Sequence, residues 1–326
     1  MLLSVTYSTV CEKALLPILQ KQYPKEKIMQ VQYLLRGMND TYIVETASRK
    51  LIFRLYRSDW RTKVSEVTFE MELLLHLFKE GIPVSIPIAT ALGNYILKLQ
   101  VPEGYRFGVL FTYAEGKEQE IQNTEVSEMF GKAVAEMHIK ADLFASNHSR
   151  QIWDIQSLIL HPLKIIESRM QHRLEDFYFI REVAQKMEEK LNEHIRNGLD
   201  WGICHGDLQG NMNISFCEDM TYTHYDFDLC GYGWRAYDLA AFKLTRLLLE
   251  EDHQLAEQLW DSFLLGYTAV RPFSENDREA VSVMVGIRQL WLMGLCMHDP
   301  HIVGSIETND SYLDEKLDFF KQFSNK

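Results

Sequence analysis

Ile203-Cys-His-Gly-Asp-Leu-Gln-Gly-Asn-Met-Asn-Ile-Ser-Phe216 is followed, after a short hairpin, by His224-Tyr-Asp-Phe-Asp-Leu-Cys-Gly-Tyr-Gly233, and in the second run acidic residues alternate with apolar ones. A carboxylate in a polar loop (Asp207), loop amides just beyond it (Asn211, Asn213) and carboxylates leaving a following strand (Asp226, Asp228) can converge on one point from two adjacent turns. Such oxygen-rich sets suit hard cations. Mg²⁺ takes one or two protein carboxylates plus substrate phosphates and needs no His/Cys cage. Phosphoryl transfer is the reaction class this chemistry points to.

The whole chain has globular proportions. Its 326 residues are long enough for about two domains, and 46% apolar with 25% charged residues is ordinary globular composition, which excludes collagen-like and disordered classes. Up to Ala114 there are 14 basic against 10 acidic side chains, and beyond it 20 against 36. An acidic protein with no basic cluster is a poor nucleic-acid binder, whereas its acidic part would attract a small cationic molecule. The most apolar segment, Val283 to Met297, is interrupted by Arg288 and Gln289 and reads as a buried helix, so no membrane partner is expected. No basic stretch precedes the first apolar residues, and five cysteines without a C-x-x-C pair fit a reducing compartment, so the expected location is the cytoplasm.

Before residue 114 the pattern has strand character. Residues 42–46 and 50–56 form a hairpin around Ala47-Ser-Arg, a helix covers 65–79, and strands are expected at 94–101 and 106–113, giving β-β-α-β-β. A helix at 11–22 precedes them. After Glu115-Gly116, helical periodicity dominates at 126–141, 177–197, 239–250, 253–269, 277–297 and 311–323. Two unequal lobes are therefore expected, 1–114 and 115–326.

At the two opening motifs the chain resembles the aminoglycoside phosphotransferase and choline kinase family, a branch of the protein-kinase-like fold, and the resemblance extends over nearly the whole length. It implies an α+β bilobal architecture, with a small antiparallel-β first lobe carrying one helix and a larger, mainly helical second lobe. It also implies an ATP- and Mg²⁺-dependent kinase acting on the hydroxyl of a small, amine-bearing molecule, as aminoglycoside, choline and homoserine kinases do. By the same resemblance Asp207 orients the acceptor hydroxyl and takes its proton, Asp226 binds the metal, and Asp228 supports it. His205 is a scaffold residue of the loop, and Asp238 in Tyr237-Asp-Leu-Ala is a helix cap and a brace for that loop. The family carries Asn five residues after the catalytic Asp, but here position 212 is Met, whose soft sulfur cannot replace an amide oxygen on Mg²⁺. Asn211 or Asn213 must then serve, and Asn211 is preferred.

In the first lobe, Leu35-Arg-Gly-Met-Asn resembles the family's phosphate-covering turn, with Gly37 and Asn39 over the nucleotide. Arg54 stands where the family carries the cation for the α/β-phosphates, often Lys, and can chelate phosphate with two parallel bonds. Glu70 is its expected partner, with Glu66 as the fallback. The backbone of Thr112, Tyr113 and Ala114 would meet the adenine edge. Met137-His138 reads as packing, while Trp153, Trp234, Arg235, Arg288 and Trp291 are open between pocket and core. Two other readings stay open: a stress-response Ser/Thr protein kinase, and a nucleotide-binding pseudokinase, for which Met212 is the chief argument.

Overall fold

Alternating apolar positions in Asp40–Thr46 (β2) and Lys50–Leu55 (β3) build the expected hairpin, and a further strand, Ile28–Arg36 (β1), pairs antiparallel with β2. The five-stranded antiparallel sheet has the order β1-β2-β3-β5-β4, completed by Ile96–Val101 (β4) and Gly104–Thr112 (β5). The expected β-β-α-β-β order thus gains β1, whose side chains are largely exposed and whose apolar alternation is broken by the exposed Met29, Leu34 and Leu35. Helix α1 (Glu12–Gln22) packs Leu15 and Leu19 on one side of the sheet against Tyr42, Val44, Leu51 and Phe53. Helix α2 (Val64–Lys79) buries Leu73, Leu74 and Leu77, and with them a carboxylate, Glu70.

The computed structural model describes residues 3–118, 121–250, 252–298 and 304–324. The chain divides into two compact units, one of residues 1–119, 143–150 and 212–228, the other of residues 120–142, 151–211 and 229–326. The hairpin of β8 (Ile214–Phe216) and β9 (Tyr222–His224) belongs to the first unit because His224 bridges to Val84 and Phe216 to Lys117. That hairpin delivers Asp226 and Asp228.

In the second unit a small sheet sets β10 (Gly231–Trp234) between β6 (Ile152–Trp153) and β7 (Trp201–Cys204). Helices α3 (Thr124–Ala141), α4 (His161–Arg169), α5 (Leu174–Arg196), α6 (Arg235–Leu249), α7 (His253–Val270), α8 (Glu275–His298) and α9 (Asp310–Ser324) make up the remainder. α4 was not legible in the sequence, because a π turn at Gln156–Leu160 runs into Pro162 and blurs the 3.6-residue period. α8 is long and apolar enough to cross a membrane, yet 78% of its most apolar window is buried inside the protein, as expected of a core helix.

Candidate active site

In the first unit Arg54 leaves β3 almost wholly buried and spans two carboxylates. Its Nη1 lies 2.9 Å from Glu70 Oε1 and its Nη2 3.0 Å from Asp226 Oδ1. Glu70, one of the expected partners, is the one the structure pairs with it; Glu66 instead accepts the Lys63 N–H at the start of α2. Glu70 Oε2 also accepts from Tyr56 Oη at 3.0 Å and Arg150 Nη2 at 3.4 Å. Burial pushes the Glu70 carboxyl up against the pull of the two arginines.

Asp226 occupies the left-handed region at φ 60°, which a short polar side chain tolerates better than most, and its carboxylate is 45% exposed. Two positions later Asp228 has the opposite surroundings. Its Oδ1 accepts from Arg61 Nε at 2.8 Å, and its Oδ2 from Asn39 Nδ2 at 3.0 Å and Trp60 Nε1 at 2.9 Å. Its carbonyl accepts from Arg61 and Arg150. Burial would raise its pKa, but Arg61, Arg150 and Arg54 outweigh that and hold the carboxyl far below the usual range. Asn39 also accepts the Arg57 N–H at 3.1 Å through its Oδ1, so both ends of its amide are engaged in fastening the β1–β2 turn, where Gly37 donates to the Asn39 carbonyl.

At the end of β5, the Thr112 N–H and carbonyl are taken by Ile86 O and Ser85 Oγ, and its hydroxyl accepts the Ile86 N–H. Among the described residues, Tyr113 and Ala114 make no backbone hydrogen bond with the rest of the backbone. An adenine edge would find its donor and acceptor there rather than at Thr112.

In the second unit the loop after β7 carries His205, Gly206 and Asp207. Asp238, in the first turn of α6 and fully buried, accepts the His205 N–H at 2.6 Å and the Gly206 N–H at 2.7 Å, one on each oxygen. It braces the loop and is not a cap, since Trp234 holds the N-cap position. Gly206 is required here: it has φ 87°, and a Cβ would lie 2.3 Å from the Leu229 carbonyl oxygen. His205 Nδ1 faces the Asp207 N–H at 3.3 Å, a scaffold contact.

Behind Asp238, His138 of α3 contacts its Oδ2 through Nε2 at 3.1 Å and Tyr267 Oη of α7 through Nδ1 at 2.9 Å. Burial holds His138 below its ordinary pKa, so the neutral ring donates from Nε2 and accepts at Nδ1. Burial would raise Asp238, but the bonds from His138 and Gly206 outweigh it and its carboxyl is held low.

Asp207 Oδ1 accepts from Gln209 Nε2 at 2.9 Å and from Arg288 of α8, and its side chain is 21% exposed. Of the residues left open between pocket and core, Trp153 and Arg235 are core: Trp153 donates to Leu229 O and stacks on Tyr237, and Arg235 is ion-paired with Asp142 and Asp200. Asn211 Oδ1 is buried with no hydrogen-bond partner among the described residues, whereas Asn213, at φ 68°, anchors Tyr225 N–H through its carbonyl. Met212 between them is exposed.

The sequence pattern of the phosphotransferase enzyme family (APH) matches residues 35–273. The chain belongs to that family. It is 28% identical to an uncharacterized protein of Synechocystis sp. over 318 residues, covering 97% of this chain and 86% of the relative. A homoserine kinase of Agrobacterium fabrum is 24% identical over 275 residues, or 81% of this chain and 78% of that one. The solved structure of an amicoumacin kinase in complex with AMP-PNP, Ca²⁺ and Ami matches with a TM-score of 0.77 at 18% identity, covering 96% of this chain and 93% of that one. The fold is the α+β protein-kinase-like fold. The chain is thus a phosphotransferase.

Several parts of this phosphotransferase were not foreseen in its sequence. Arg61, Trp60 and Arg150 around Asp228 lie in polar segments with no period to single them out. Arg288 did carry a signal, since a guanidinium inside an apolar helix demands a buried acceptor.

Proposed function

We propose that this phosphotransferase is an ATP- and Mg²⁺-dependent kinase that phosphorylates a hydroxyl of a small, amine-bearing molecule in the cytoplasm, with Asp207 as the base that orients the hydroxyl and takes its proton. The observation that carries the reading is the treatment of Asp207: a partly exposed carboxylate on a loop whose backbone is clamped by Asp238. Arg54, held by Glu70, chelates the α/β-phosphates, the Gly37 turn covers them, and Tyr113 and Ala114 meet the adenine edge. In the first unit Asp226 is the residue that would hold Mg²⁺, and in the second Asn211 is the candidate amide ligand for such an ion. They fit the ion, since one offers a part-exposed carboxylate and the other a buried amide oxygen without a partner. When bound, Mg²⁺ neutralises charge on the nucleotide phosphates. Asp228, with both oxygens on protein donors, braces the turn rather than coordinating.

An orphaned Asn211 oxygen weighs against the pseudokinase reading, since it supplies the amide that Met212 cannot. Residues 227–234 fold into a tight turn and β10, leaving little chain for the activation segment of a protein kinase. The test is transfer of labelled γ-phosphate from MgATP to amino alcohols, choline-like compounds, homoserine, aminoglycosides and sugars. Wild-type enzyme is expected to label an amine-bearing acceptor, and Asp207→Asn to lose about 10³-fold in turnover while still binding MgATP. Absence of transfer to every acceptor, with the variant behaving like wild type, would overturn the assignment.

A further inference from the structure

Arg288 lies in the middle of α8, 1% exposed, among Val285, Ile287 and Leu290. Taking a guanidinium into such a helix is costly unless its donors find acceptors. It has three: the Gly206 carbonyl at 2.8 Å, Tyr237 Oη at 2.8 Å and Asp207 Oδ1. Its planar group also lies against the rings of Tyr237, 5.3 Å to the centroid, and Trp291, 4.9 Å. Those rings are themselves fixed, because Trp153 stacks on Tyr237 at 5.5 Å and meets Trp291 edge-on at 5.3 Å. A cation confined on all these sides has a single place to be, and so does the carboxylate oxygen bonded to it.

We infer that Arg288 is a positioning residue for phosphoryl transfer: through its bond to Asp207 Oδ1 it holds the catalytic carboxylate in the one rotamer that meets the acceptor hydroxyl. This rests on the reading of Asp207 as the proton acceptor. The planar, multiply bonded guanidinium does what a lysine ammonium does only in part, because the fork ties the loop backbone at Gly206 and the side chain at Asp207 to one rigid group. A misplacement of about 1 Å at a reacting group costs about 100-fold in rate, so the effect belongs in kcat and not in nucleotide affinity.

The experiment compares full-length wild type, Arg288→Met, Arg288→Lys, Asp207→Asn and the Arg288→Met/Asp207→Asn double variant. MgATP binding is measured by calorimetry, MgATP turnover with water as acceptor by steady-state kinetics, and the Asp207 rotamer by crystallography. Arg288→Met is expected to keep its MgATP affinity, to lose about 100-fold in kcat, and to show Asp207 displaced; Arg288→Lys should recover about tenfold of that loss. In the Asp207→Asn background, Arg288→Met should cost nothing more, since the interaction is already gone. A purely structural arginine would instead give additive losses with Asp207 undisplaced, and that outcome, or unchanged kcat in Arg288→Met, overturns the inference. Should Arg288→Met not fold, Arg288→Lys and its combination with Asp207→Asn decide by the same criterion. If Asp207→Asn alone leaves turnover intact, or wild type shows none, the proposed function has failed instead, and the Asp207 rotamer in the crystal then decides the positioning claim by itself.

Discussion

At the scale of single residues, the two asparagines that flank Met212 have different duties. Asn211 presents a buried oxygen without a partner, while Asn213 is held in the left-handed region with its carbonyl on Tyr225. Asn211→Ala is therefore expected to raise the Mg²⁺ concentration needed for half-maximal turnover by about tenfold or more, and Asn213→Ala to act mainly on stability through backbone strain. Magnesium titrations of turnover on both variants, alongside their melting temperatures, check this. The pair also marks a limit of sequence reading: the motif alone left both residues eligible, because spacing cannot say which side-chain oxygen is buried without a partner. Glu70 and Glu66 posed the same problem, one helical turn apart, and were separated only by which of them is buried beside Arg54.

At the scale of elements, α3 and α7 approach so closely that a Cβ on Gly131 would lie 1.9 Å from the Phe263 carbonyl oxygen, and one on Gly266 1.9 Å from that of Glu128. Backbone cannot yield as a side-chain tip can. Gly131→Ala and Gly266→Ala are each expected to cost about 1–3 kcal/mol or more, read as a lower midpoint in denaturant. The close contact has a purpose in the fold, since it brings Tyr267 of α7 and His138 of α3 into line behind Asp238 of α6.

That line titrates. His138 is buried neutral with its pKa lowered, so below about 6.5 the unfolded chain takes up a proton that the folded one refuses. Stability is complete above that pH and falls as pH drops toward the folded value. Melting temperatures from pH 7.5 to 5 should show this decline in wild type and a smaller one in His138→Gln, which still offers Asp238 a donor.

For the whole molecule, a formal charge of −12, with its negative excess beyond Ala114, gives a field that favours cationic acceptors. Raising ionic strength from about 0.05 to about 0.5 M shortens screening to a few ångströms, so KM for a cationic acceptor should rise several-fold while that for a neutral one changes little. Equal salt responses would remove charge steering from the account.

By itself, the sequence was sufficient for the class of fold and for nominating candidate site residues, because strand and helix periods, the His-Gly-Asp loop and the Asp-x-Asp turn are local signals written in contiguous residues. It was silent on who partners whom. Arg150, Arg61 and Trp60 reach Asp228 across 78 to 168 positions of chain, and Arg288 reaches Asp207 across 81. Buried charges select their partners by distance and desolvation after the chain has packed, and neither quantity exists until tertiary structure supplies it.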